Sequence, residues 1–577
     1  MNMTGPIDLI LLGGRIKTMD EQRPFAEAIA VSGNRIVAVG TDVEVAALVQ
    51  ARTRIVNANG GTVLPGFNDA HVHIFSGSAS LVQLSLEGVQ GFENLKSAIA
   101  GYAAAHPDAP SIVAQGCLYT AISPAEPITR HHLDQIMEDR PLLLVAFDLH
   151  TAWANTVALQ HAGVLGGRKL PLGNEIVMGK DGLATGELRE ADAISPVHAL
   201  FEGGGREMLG ISTGDEPHHV TEADRDYDIS LLRHGLAHCA SQGITSIQNM
   251  DGNLYQLELL NEIQQTEGLP VRVRMPFHMK NFTPLSDLRE KAAAWNRLYD
   301  SDMLRCDFVK LFMDGVTESE TAFFLEDYAH QPGWKGEALF SQMQFDDICA
   351  TASRLNLQVA SHAVGDGAVR RVLNGYEHAS DVTGARDLRH RVEHIEVIHP
   401  DDIDRFCKIG AVASMQPIHA PSRAEADADA DAETAPRLIG PARLPHAFAW
   451  RKLADAGAPM VFSTDWPVAP LDPMLSISAA MTREPIAEGV PDQRLPLDDI
   501  LRGYTLNAAW VEFMSDRKGM VREGYLADLV VLDADIDVVA PEALSTVCIT
   551  LTICDGRITF ERTSRTRGAA AAGLHHV

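Results

Sequence analysis

In LPGFNDAHVHIF, His71 and His73 stand two residues apart. In an extended segment, period-two geometry sends both imidazoles to one side, a spacing that can chelate a single ion. An isolated His-x-His is ordinarily two hydrogen-bonded histidines, so the weight falls on its companions. DFVKLF sets Lys310 between Val309 and Leu311, where an unpaired ammonium would be costly to desolvate. Either an ion pair, with Asp314 as partner, compensates it, or burial and nearby cations lower its pKa until the neutral amine takes up CO₂ to form an anionic, bridging carbamate. QVASHAVGDGA and RVEHIEVIH then each bring a histidine, His362 and His394, to the end of an apolar run, where neutral imidazoles suit zinc. Gly365 and Gly367 loosen the connection after the first. MVFSTDWPVAP places Asp465 after another such run, as a ligand, a general base or the cap of a following helix.

All six side chains fall at the downstream ends of predicted strands, so the elements that carry them come next. Eight apolar runs, at 62–67, 244–250, 271–277, 307–312, 358–362, 391–396, 411–416 and 460–465, alternate with stretches of helical periodicity that end at Gly or Asn. Repeated β then α predicts an α/β fold with a (β/α)8 TIM-like barrel over 62–515, whose catalytic groups gather at the carboxyl ends of its strands. The span 75–230 is too long for one connection and contains SIVAQG and PLLLVAFD, which predicts an insertion beside the barrel mouth that shapes the pocket. Residues 1–61 and 516–565 both read as short extended runs broken by turn dipeptides, which predicts a small β-sandwich built from both chain ends. The acidic run at 425–433 reads as a solvated loop and 566–577 as a flexible tail.

The chain has 577 residues, 46% apolar and 22% charged, which is ordinary globular usage. A formal charge of −29 repels phosphate backbones and anionic lipid surfaces, so nucleic acid and membrane are not expected partners. No apolar stretch approaches the roughly 18 residues of a bilayer span. The 7 cysteines form no Cys-x-x-Cys pair, and the first residues lack a basic leader and a cleavage site, which together fit a soluble protein of the reducing cytoplasm. A homodimer is the default expectation for assembly.

Through PGFNDAHVH, DLHTAWANTVAL, VKLFMDG, SHAVGDGA, RVEHIE, STDWPV, GYTLNAAW and GYLADLVVLD, nearly the whole chain resembles the amidohydrolase superfamily, and within it the branch that contains N-substituted formamide deformylase. Carried over position by position, the resemblance implies that His71, His73 and Asp465 hold one zinc ion, that His362 and His394 hold a second, and that carboxylated Lys310 bridges them. His150, Trp153 and Asn155 match a recurring patch of the branch and are expected to line the substrate pocket, as is Trp466, although Trp153 suits a buried core equally well. Arg391 and Glu393 flank His394, where either can orient a ligand or the substrate.

Such a centre would bring a bridging water toward neutral pKa, with Asp465 as the base that moves its proton to a departing nitrogen. The expected reaction is hydrolysis of an amide C–N bond in a small molecule similar to an N-substituted formamide, with Phe147, Trp153 and Trp466 accommodating an apolar substituent. A mononuclear, deaminase-like centre with uncarboxylated Lys310, a hydrolase of cyclic amides, carbamates or esters, and a non-catalytic metal or ligand-binding regulator stand as alternatives.

Overall fold

The computed structural model describes residues 5–123, 126–384, 387–421 and 434–562. The acidic run at 425–433 and the tail at 566–577 lie outside the described residues. Eight parallel strands form one sheet: β1 (Phe67–Val72), β2 (Ile244–Asn249), β3 (Arg272–His278), β4 (Leu304–Phe312), β5 (Gln358–Ala363), β6 (Arg391–His394), β7 (Val412–Met415) and β8 (Met460–Phe462), in that spatial order. Strand β4 shows why such runs become barrel strands. Phe308 joins Met250 and Ala360 in a cluster of its own, while Val309 and Leu311 pack into the large core shared with the helices. The two-residue period therefore puts Lys310 on the same face of the strand as Phe308. Helices such as Glu222–Ser241, Leu254–Thr266 and Gln342–Arg354 lie in the connections, each opened by a side-chain cap from Thr221, Asn253 or Ser341.

The sheet closes at its mouth. Val72 bridges Trp466 in parallel, the Asp465 amide donates to the His71 carbonyl at 2.9 Å, and the His73 amide donates to the Trp466 carbonyl at 2.8 Å. Backbone bonds between the expected ligand segments thus contribute to barrel closure.

Both chain ends build a second unit. A four-stranded sheet and a six-stranded sheet share a core containing Leu11, Ile29, Val63, Leu529 and Ile553. Thr62–Pro65 pairs antiparallel with Leu529–Leu532 and parallel with Arg15–Lys17. The run expected at 62–67 as the first barrel strand is therefore divided: its first four residues are sandwich, and β1 starts at Phe67. Gly66 makes the cut. Its amide donates to the Asp528 carbonyl, and a Cβ there would lie 2.2 Å from the Thr245 side chain. The apolar pattern crosses this point without a break, so periodicity alone joined two strands that belong to different sheets.

Between β1 and β2 lies a mixed six-stranded sheet, from Leu84–Ser85 to Ala184–Arg189, with two apolar clusters of its own. Its residues Phe147, His150, Glu190 and Ile194 line one side of a cavity of about 940 Å³ whose floor includes His71, His73, His362, His394 and Asp465.

Candidate metal centre

The pleat of β1 sends His71 and His73 into the barrel mouth, and the residues beyond β8 bring Asp465 to meet them. His71 Nε2 lies 3.3 Å and His73 Nε2 3.2 Å from Asp465 Oδ1. The far side of each ring is fastened: His71 Nδ1 sits 2.9 Å from Glu393 and His73 Nδ1 2.6 Å from Asp251. A carboxylate on the remote nitrogen fixes ring orientation and tautomer and directs the other nitrogen's lone pair inward, as a metal ligand requires.

His394 ends β6, with Nδ1 2.9 Å from the Gln416 side-chain oxygen, and its ring centroid lies 4.9 Å from that of His71 and 4.5 Å from that of His362. His362 donates from Nε2 to the Gly315 carbonyl at 3.0 Å. His394 and Asp465 both have positive φ, 75° and 59°, a conformation that costs a non-glycine residue of order 1–3 kcal/mol and persists where the surroundings impose it.

Lys310 stands in the same mouth, fully buried, with its Nζ 4.7 Å from the Phe312 ring centroid and no hydrogen-bond partner. The expected pairing with Asp314 is absent, because that carboxylate accepts instead from the backbone amides of Phe323, Val364 and Gly365. Burial pulls the Lys310 ammonium down to about 8. Asp465 Oδ1 is likewise buried with no donor aligned on it. An orphaned amine and an orphaned carboxylate oxygen among inward-facing imidazoles are costly without a compensating group, and divalent cations fit that donor set. His71, His73 and Asp465 have ligand atoms within 4.8 Å of one another, and so do His394, His419 and Asp465.

The remaining expected site residues divide. His150 lines the cavity, its Nδ1 2.9 Å from Glu190 and its ring 5.5 Å from His362. Trp153 does not line it. At 1% exposure it fills the core of the inserted sheet, edge-on to Tyr119. Asn155 is also structural: it caps helix Thr156–His161 and donates to the carbonyls of Met137 and Arg140. Trp466 packs over Gly77, where a Cβ would lie 2.5 Å from its ring, so its backbone rather than its indole serves the site. Arg391 lies beneath the floor, salt-bridged to Glu393 at 2.8 Å and donating to the Ala70 carbonyl at 2.7 Å. Of the three aromatics expected to meet an apolar substituent only Phe147 lines the cavity, where Phe312, Trp334, Phe340 and Phe448 join it. The glycines after His362 give room rather than slack, since a Cβ on Gly365 would lie 2.2 Å from the Phe323 carbonyl.

Sequence reasoning missed Asp251, Gln416 and His419. Asp251 follows β2, and Gln416 and His419 follow β7, His419 within the short turn Pro417–His419 that Gln416 precedes. Position just past a barrel strand was the available signal. Asp251 and His419 lie beyond the apolar runs, and Gln416 is the polar last residue of one.

A closed parallel barrel with imidazole, carboxylate and amine groups converging at its carboxyl mouth defines a metal-dependent hydrolase. The amidohydrolase family profile matches residues 54–560, and the chain belongs to that family. The chain is accordingly a hydrolytic enzyme that acts on carbon–nitrogen bonds. Among its relatives are the protein LONG AFTER FAR-RED 3 of Arabidopsis thaliana, 27% identical over 92% of this chain and 87% of that protein, and the putative amidohydrolase YtcJ of Bacillus subtilis, 26% identical over 95% and 99%. The N-substituted formamide deformylase of Arthrobacter pascens is 26% identical over 97% of this chain and all of that one. An uncharacterized metal-dependent hydrolase from Pyrococcus horikoshii shares the fold, with a TM-score of 0.70 at 22% identity over 92% of this chain and 99% of its own. Among the described residues no helix is long and apolar enough to cross a membrane.

Proposed function

We propose that this enzyme hydrolyses the C–N bond of a small N-substituted formamide or related amide at a two-zinc centre. The convergence of His71 and His73 on Asp465 Oδ1, beside the unpartnered amine of Lys310, carries the reading. His71, His73 and Asp465 would hold one ion, His362 and His394 the second. Carboxylated Lys310 would stand between them, its neutral nitrogen having bonded to the carbon of CO₂ and released a proton to water. Bound divalent cations supply Lewis acidity that brings a water's pKa toward neutrality and polarises a carbonyl.

The chain's own groups do the rest. Glu393 and Asp251 hold the two imidazoles of β1 in register. As the water oxygen bonds to the substrate carbonyl carbon, the Asp465 carboxylate takes its proton. The same proton passes to the departing nitrogen when the C–N bond breaks, which leaves a carboxylic acid and an amine. Phe147, Phe340 and Phe448 offer an apolar wall for the nitrogen substituent. Similarity along the whole chain to an N-substituted formamide deformylase supports this substrate class.

The test is a panel of N-substituted formamides, longer-chain amides, cyclic amides, carbamates and esters, assayed with and without chelator. Formamide turnover that chelator abolishes is expected. Turnover confined to an ester or a cyclic amide would sink the substrate assignment.

A further inference from the structure

We infer that His419 is a metal ligand, forming with His394 and Asp465 a donor set for the second cation. The inference rests on the proposed reading that the barrel mouth holds divalent ions. It extends the expected set by a residue that lies past β7, outside any apolar run.

Two observations carry it. First, His419, His394 and Asp465 each present a ligand atom within 4.8 Å of the other two, the same criterion met by His71, His73 and Asp465. Second, His419 Nε2 is buried and has no hydrogen-bond partner. A neutral imidazole nitrogen shut away from water with nothing to bond is unfavourable, and a cation among these donors removes the penalty.

One nitrogen on an oxygen acceptor and the other turned inward is the arrangement of metal-ligating histidines, and the four histidines of the expected set have it. His71 is tied to Glu393, His73 to Asp251, His362 to Gly315 and His394 to Gln416. His150 is tied too, to Glu190, yet among the described residues it belongs to no such donor set. A tether alone therefore does not mark a ligand, and the features that single out His419 are its clustered position and its orphaned nitrogen. The His394 and His419 rings lie nearly parallel, 11° apart with centroids at 6.4 Å, with Asp465 reachable from both.

The experiment measures metal rather than turnover. Purified full-length protein and its His419→Gln variant are stripped and titrated with zinc against a chromophoric chelator, with His71→Ala as the comparison. The expected result is that His419→Gln keeps the tighter equivalent and binds the other at least tenfold more weakly, whereas His71→Ala loses the tighter one. A crystal of the zinc-loaded wild-type protein supplies a readout independent of any variant, with anomalous density expected about 2.0–2.1 Å from His419 Nε2. Unchanged zinc affinity in His419→Gln, or zinc beyond about 3 Å from Nε2 in that crystal, overturns the assignment while leaving the proposed function standing. A wild-type protein that binds no zinc overturns both.

Discussion

His71 Nδ1 on β1 lies 2.9 Å from a carboxylate oxygen of Glu393 on β6, and Arg391 clamps the same carboxylate from its own strand at 2.8 Å. Two strands that are not neighbours in the sheet are joined through a side chain whose business is to aim an imidazole.

Glu393→Gln tests that role. The amide removes the charge that favours the Nδ1–H tautomer while keeping the shape, so zinc affinity should fall about 10- to 100-fold with little change in fold. Chelator competition measures the loss, and circular dichroism checks the fold. Wild-type affinity in the variant would show that His71 does not need the carboxylate.

Asp465 and His71 should separate in their effects. Asp465→Asn is expected to retain much of the metal and to lose turnover about 10²- to 10⁴-fold, the range for removing a positioned general base. His71→Ala should lose metal and turnover together. Elemental analysis beside steady-state kinetics distinguishes the two, and normal kcat in Asp465→Asn would remove the proposed base.

Lys310 should make metal loading depend on dissolved CO₂. Apoprotein reconstituted in bicarbonate-depleted buffer is expected to recover less metal and less activity than apoprotein given bicarbonate, and Lys310→Ala should show no such difference. Equal recovery of the wild-type protein in both buffers would argue for an unmodified amine.

Acid stability has a separate locus beneath the barrel. Burial alone would raise the Glu512 carboxyl, but Lys518, at 2.6 Å, and Arg305 override it and hold the group at about 2 against an ordinary 4.5. The folded-state value is the lower one, so the stabilisation is fully present above about pH 4.5 and is lost as the pH falls toward 2. Glu512→Gln should cost about 3–5 kcal/mol near neutrality, because it leaves the buried Lys518 ammonium without its anion. It should also flatten the acid limb of a Tm-against-pH curve. A variant with an unaltered acid limb would place acid sensitivity elsewhere.

The strands of the barrel were legible because each is a short apolar run set between turn residues, and the ligands inside those runs came with them. What periodicity could not show was where one sheet stops and another begins: Thr62–Pro65 and Phe67 read as a single run, and only the space beside Thr245 separates them at Gly66. Side-chain destinations were equally hidden. Trp153 and Asn155 sit in a motif as suggestive as that around His150, yet two of the three serve the packing and capping of the inserted sheet. His419 escaped notice because a histidine two residues past a proline carries no period at all.

The direct join at Gly66 has a consequence for assembly. Strand Thr62–Pro65 takes its partner from Leu529–Leu532, far downstream in the sequence, and Phe67 follows immediately. The first two histidines of the centre therefore settle only after that downstream strand has docked, a contact of long sequence separation and correspondingly slow formation. A ribosome-bound fragment lacking that strand would hold its histidines on an unanchored segment. Removal of residues 528–562 should accordingly abolish zinc uptake, although none of them belongs to the candidate metal centre.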